Sequence, residues 1–312
     1  MLNFEMKGIS MDEKTPATKI RVGPAGWSYK DWAGIVYPKR KPAGFHEATF
    51  LASYFDTIEL NVTFYRPIPA ATTKEWVTRV AANKNFMFTA KLWKEFTHNR
   101  ELSVANEHAF SPAMEALHDA GKLGALLAQF PWSFKNEPGN LNYLNKLVER
   151  FRGFPFVVEV RHGSWDKPEV YEWFAERGIG FCNIDQPVIG RSIKPSDRIT
   201  GQVGYVRLHG RRYDTWFSRD PDTPSSERYN YFYSAEELEP WLKRIQNVAQ
   251  TGESTFVITN NHYEGKGIVN ALQLIHLLTK RPVDAPPTLV KRYPELEPIY
   301  NSAGATQNLF SQ

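Results

Sequence analysis

Between residues 57 and 65 apolar and polar side chains alternate one by one, with Ile58, Leu60, Val62 and Phe64 interleaved among Thr57, Glu59, Asn61, Thr63 and Tyr65. Successive side chains of an extended chain point to opposite faces, so this spacing predicts a strand with one apolar and one polar face. The pattern returns along the chain. Phe86, Phe88, Ala90 and Leu92 are set against Thr89 and Lys91. Phe156, Val158 and Val160 are set against Val157, Glu159 and Arg161, and Val206 and Leu208 against Tyr205, Arg207 and His209. Eight β-type segments occur in all, at 20–27, 57–65, 86–92, 125–130, 156–161, 179–185, 203–209 and 255–261.

Apolar residues at helical spacing mark helices over 72–82, 140–152, 168–177, 236–250 and 268–278. The strand segments lie roughly 25 to 50 residues apart, which suits repeated strand-loop-helix units and parallel strands better than the closer spacing of a sandwich. The pattern predicts an α/β fold, a single (β/α)8 barrel of TIM type. In such a barrel one strand face lies under helices and the other lines the lumen. The apolar faces are assigned to the helices and the polar faces to the lumen. Glu59, Asn61, Lys91, Gln129, Glu159, Arg161, Asn183, Asp185, Arg207 and His209 are thereby expected at its C-terminal end. Active sites of this fold cluster at that end. The alternative is an internal ion-pair network that only fills the top of the barrel.

Composition narrows the class. Hydrophobic residues make up 42% of the 312 and charged residues 23%, the balance of a globular chain, and barrels of this length fold as one domain. Residues 19–280 are assigned to the barrel, 1–18 to a loose N-terminal segment and 281–312 to a proline-rich tail without periodicity, partly wrapped on the barrel and partly loose. The one cysteine, Cys182, can form neither an intramolecular disulfide nor a multi-thiolate metal site, which favours a reducing compartment. The first residues lack the apolar run of a secretory signal, and no segment reaches the about 20 apolar residues that span a bilayer. A cytoplasmic protein without membrane association is expected. A net charge of +4 with scattered basic residues gives little support to a nucleic-acid partner.

The segment VGPAGWSYKDWAGIVYP resembles the opening GxxGWxYxxWxxxxYP motif of the DUF72, or YecE-like, family. TIELNVTFYRPIP, FTAKLWKEFTH, LGALLAQFPWSF, VVEVRHGSW, GYVRLHGR and TNNHYEGKGIVNA follow in the family's order. The resemblance covers roughly residues 20 to 280 and implies a fold similar to TIM barrels. It implies no particular reaction. The last family motif reads FNND before a glycine-containing stretch, whereas here His262 follows Asn260 and Asn261. A ligand bound through that acid in relatives would meet a different group in this chain.

Chemistry is therefore read from the polar face. Glu159, Glu59 and His209 are the candidates for proton transfer, because charged and amide neighbours can tune them. Arg161 and Arg207 suit a carboxylate or phosphate, since guanidinium forks bind such groups at two points. Lys91, Asn61, Gln129, Asp185, Asn260 and Asn261 complete the polar candidates. Trp27, Tyr65 and Trp165 are candidate aromatic walls against which a sugar or base could stack. The expected substrate is a small anionic molecule, bearing phosphate or carboxylate and drawn from sugars or nucleosides, handled by acid/base chemistry.

Two alternatives stand beside this reading. One is a nucleic-acid-binding barrel using its aromatic and arginine residues. The other is a metal-dependent hydrolase or sugar-isomerase-like barrel, with a divalent metal among Asp185, Glu59, Glu159, His209 and His262. No ligand spacing singles out a metal site, so no cofactor is predicted, and neither GxGxxG nor GxxxxGK[ST] occurs to cradle a nucleotide phosphate. The end of the chain, GATQNLFSQ, resembles a bacterial sliding-clamp-binding peptide with imperfect spacing, the alternative being a plain tail.

Overall fold

A computed structural model describes residues 19–214, 216, 227–250 and 252–301. The eight strands are β1 (Lys19–Pro24), β2 (Thr57–Leu60), β3 (Met87–Lys91), β4 (Leu123–Gln129), β5 (Phe156–Glu159), β6 (Gly180–Asp185), β7 (Val203–Leu208) and β8 (Ser254–Thr259). They pair in parallel in the order β1-β8-β7-β6-β5-β4-β3-β2. A parallel bridge between Ala25 and Glu59 joins the two ends, and the Gly26 N–H donates to the Glu59 carbonyl at 2.8 Å. The result is the expected nearly closed barrel.

Helices α1 (Glu47–Leu51), α2 (Val62–Tyr65), α3 (Ala70–Arg79), α4 (Val104–Asp119), α5 (Pro138–Arg150), α6 (Pro168–Glu176), α7 (Ala235–Val248), α8 (Lys266–Thr279) and α9 (Pro287–Arg292) surround it. Proline opens α5 and α6, where its missing N–H costs no helical hydrogen bond. In α7 the Ser234 side chain accepts from Glu237 N–H while the Glu237 side chain accepts from Ser234 N–H, which fixes where that helix begins. The apolar strand faces pack outward as expected: Phe156 of β5 stacks on Phe151, with ring centroids 6.3 Å apart. Among the described residues no helix is long and apolar enough to cross a membrane.

Two expectations need correction. The alternation at 57–65 does not make one long strand: β2 ends at Leu60, and Val62–Tyr65 form the short helix α2. Thr63 supplies the reason, because its hydroxyl meets the carbonyls of both Leu60 and Lys91, at 2.9 and 2.6 Å, and turns the chain back against β3.

In β6 the phase is opposite to that assigned. Phe181 lies against Tyr171 and Phe174 of α6, which puts Asn183 and Asp185 on the outer face with it and turns Cys182 toward the lumen.

Past residue 280 the chain packs on the barrel as far as the described residues go. Leu289, Tyr293 and Leu296 are buried, and Val283 bridges to Tyr300. The segments 1–18 and 302–312, the latter holding the whole clamp-like sequence, lie outside the described residues.

Candidate active site

Three fully buried charges from three strands meet at the top of the lumen: Glu59 of β2, Arg207 of β7 and Glu159 just inside the end of β5. Arg207 Nη2 donates to Glu59 Oε1 at 2.6 Å, and Nη1 donates to Glu159 Oε2 at 2.5 Å and to Gln129 Oε1 at 3.0 Å. The guanidinium thus lies between the two carboxylates. The Tyr205 hydroxyl lies 3.0 Å from Glu59 Oε2 and 2.8 Å from Thr89 Oγ1. Arg161 adds a second fork on Glu159 Oε1, from Nε at 3.0 Å and Nη2 at 2.9 Å. Burial opposes ionisation of Glu159, yet the charges of Arg207 and Arg161, with a hydrogen bond from His209, outweigh it and hold its carboxyl well below the usual range.

His209 is a neutral spacer in this cluster. Burial lowers its pKa to about 3 against the pull of Glu159. Its Nε2 lies 3.2 Å from Glu159 Oε1, and Nδ1 lies 3.0 Å from the Asn260 amide nitrogen. A neutral ring protonated on Nε2 satisfies both contacts. Glu59, Glu159 and His209, the three candidates for proton transfer, are therefore brought together as expected, but each is engaged by protein partners.

Above this floor opens a cavity of about 420 Å³, a size suited to a small molecule. Lys91, Asn61 and Asn260 contribute polar groups; Trp27, Tyr65, Trp76, Tyr29, Tyr229 and His262 form aromatic walls. His262 stacks on Tyr29 with centroids 4.1 Å apart and 14° between planes, and burial lowers its pKa to about 4. Asn61 Oδ1 and His262 Nδ1 are buried without a hydrogen-bond partner among the described residues. Tyr65 stands at the rim, 67% exposed.

Lys91 differs from the other charges. Only 9% exposed, it forms no ion pair among the described residues, and its Nζ lies 4.3 Å from the centroid of the Phe64 ring. Burial first, and then the charge of Arg207, lowers its pKa to about 7, against the opposing pull of Glu59 and Glu159. Two carboxylates, Glu59 and Glu159, thus face three basic side chains, Arg161, Arg207 and Lys91, and the unpaired one borders the cavity.

Four predicted site residues lie elsewhere or inside the packing. Asp185 accepts from Arg211 Nε at 3.0 Å and from Trp241 Nε1 at 3.1 Å, on the helix side of β6. Asn183, also expected in the lumen, binds the backbone of Arg198. Asn261 turns outward to the Tyr231 carbonyl and to Asn270 of α8. Trp165 is buried in the packing, stacked on Phe134 and donating to its carbonyl at 2.7 Å.

No group of three His, Cys, Asp or Glu side chains among the described residues could hold a metal, and Arg207 fills the space between Glu59 and Glu159. Sequence reasoning missed Tyr29, Tyr229 and Trp76. Tyr29 lies in a loop and Tyr229 in the short 3-10 turn Glu227–Tyr229, neither with periodicity, although Tyr29 belongs to the conspicuous GWSY segment.

The barrel has known relatives. The UPF0759 protein YunF of Bacillus subtilis is 30% identical over 272 residues, covering 83% of this chain and 94% of that protein. The crystal structure of a DUF72 family protein from Thermotoga maritima is 32% identical, with a TM-score of 0.71, covering 84% of this chain and 99% of that one. A DUF72 family protein from Enterococcus faecalis, 24% identical, superposes with a TM-score of 0.73 over 86% of this chain and 98% of its own, and shares the fold. The model of DUF72, described as a protein of unknown function, matches residues 21–292, and the chain belongs to that family.

Proposed function

We propose that this protein is an enzyme acting on a small anionic molecule, bearing phosphate or carboxylate, in the cavity at the C-terminal mouth of the barrel. The observation that carries the reading is Lys91, a buried ammonium without an ion-pair partner among the described residues, set on the cavity beside two further cations. An unpaired buried charge is costly, and a bound anion offsets that cost. Lys91 also changes charge near neutral pH, as a proton carrier must.

In this reading Lys91 takes over the proton transfer expected of Glu159. A carboxylate already holding two guanidiniums is a poor base, so Glu159, Glu59 and His209 form with Arg207 and Arg161 a charge-balanced floor under Lys91. Asn61 and Asn260 orient the substrate, and Trp27 and Tyr65 offer ring faces to its apolar side. The cytosol suits a chain whose one thiol, Cys182, is buried and free.

The test is a thermal-shift screen of the wild type and Lys91→Met against phosphorylated and carboxylated metabolites, with single-stranded DNA and RNA alongside. Stabilisation by small anions that disappears in Lys91→Met is expected. Stabilisation by the polymers alone, falling steeply with salt, would establish the nucleic-acid-binding barrel instead.

A further inference from the structure

The reading above assigns Lys91 a charge and a proton, but the same surroundings give its nitrogen a lone pair. An amine becomes nucleophilic at neutral pH when it is desolvated or set beside another cation, and both conditions hold here. Lys91 Nζ lies over the Phe64 ring, with no acceptor among the described residues to hold its protons, and it borders a cavity large enough for a second reactant. The groups acting on it come from several sides: Arg207 from β7, Glu59 from β2, Glu159 from the end of β5 and Arg161 from just beyond it. His98 of the π turn Glu95–Asn99 is itself neutral, its pKa lowered to about 4 by burial first and then by the charge of Lys91.

We propose that Lys91 captures an anionic carbonyl compound, a 2-oxo acid or an aldehyde acid, as an imine. The proposal rests on the anion-site reading of the same cavity. The lone pair of neutral Nζ attacks the carbonyl carbon, the C=O π electrons pass to oxygen, and a proton moves from nitrogen to that oxygen to give a carbinolamine. Loss of the hydroxyl and the remaining N–H proton as water forms the C=N bond. No oxidant or reductant is consumed. Lys91 in its ammonium form draws the substrate's carboxylate to the site and loses a proton to water before it attacks, and the imine then weakens bonds at the carbon next to it.

The experiment uses the full chain with glyoxylate as the anionic carbonyl and cyanoborohydride to reduce any imine to a stable carboxymethyl amine, followed by peptide mapping. At pH 7, ordinary lysines with pKa about 10.4 hold far less than 1% neutral amine. Lys91 should therefore be labelled at least about ten-fold faster than the other lysines. Its rate should level off above about pH 7 while theirs keep rising. Glycolate, the same acid without the carbonyl, should slow it, and Lys91→Arg should lose this adduct alone. If Lys91 is labelled no faster than surface lysines while glycolate still stabilises the wild type but not Lys91→Met, the imine fails and the anion site stands. If glycolate neither stabilises the protein nor slows labelling, and Lys91 is not preferred, both fail together.

Discussion

Arg207 is the side chain that lets two glutamates be buried at once. With Glu59 on one nitrogen and Glu159 on the other, all three fully enclosed, each charge depends on the others for the hydration it has lost. Breaking such a cluster by removing one partner leaves an uncompensated buried charge. Glu159→Gln is therefore expected to destabilise the protein by about 3–5 kcal/mol in urea denaturation at pH 7. A loss under about 1 kcal/mol, the level of an exposed pair, would show that the floor is not sealed from water. Glu59, Lys91, Glu159, Arg207 and His209 are legible in the sequence because they share the phase of their strands, and a side chain two residues on lies on the same face. The proton affinity of Lys91 is not legible, because it depends on Phe64, Arg207 and Arg161, which only the closed barrel brings near.

At the level of elements, β1 and β2 approach closely at Gly23. A Cβ placed on Gly23 would lie 1.9 Å from the Thr57 carbonyl oxygen, so only glycine lets the two backbones approach closely enough to set up the Ala25–Glu59 bridge above them. Gly23→Ala should push the strands apart. The expected cost is at least about 1–3 kcal/mol, the range for overpacking, read as a lowered Tm, and an unchanged Tm would mean the seam is loose. Most strands and the amphipathic helices can be read from periodicity, since their apolar faces meet the helical layer directly. Strand β6 cannot, because Asn183 and Asp185 find partners on the helix side, in the Arg198 backbone and in Arg211 and Trp241. Polarity marks the lumen only where the outer layer offers no such partner. The same limit explains α2, whose Val62–Tyr65 residues alternate like a strand but are turned by the Thr63 hydroxyl.

Across the whole molecule, the barrel and its family follow from ordered motifs spread over most of the chain, while which part of the tail wraps the barrel does not, because a proline-rich segment carries no period. Tyr293 donates to the Glu264 carbonyl at 2.8 Å and Arg292 pairs with Glu264 at 3.1 Å, so this segment braces the loop that follows His262 at the cavity. The account as a whole turns on one titration. Burying Lys91 lowers its pKa from the unfolded value, so between about pH 7 and 10.4 the folded state binds fewer protons than the unfolded one. That difference weakens the fold at neutral pH and vanishes as pH rises past the unfolded value. An anion in the cavity should raise the lowered pKa again, taking up a proton as it binds. Following each lysine by NMR of protein carrying 13C at Cε, from pH 5 to 11 with and without sulfate, measures this directly. One resonance titrating near pH 7, shifted upward by sulfate and absent from Lys91→Arg, is the predicted result. Titration of every lysine near pH 10.4, indifferent to sulfate, would contradict it.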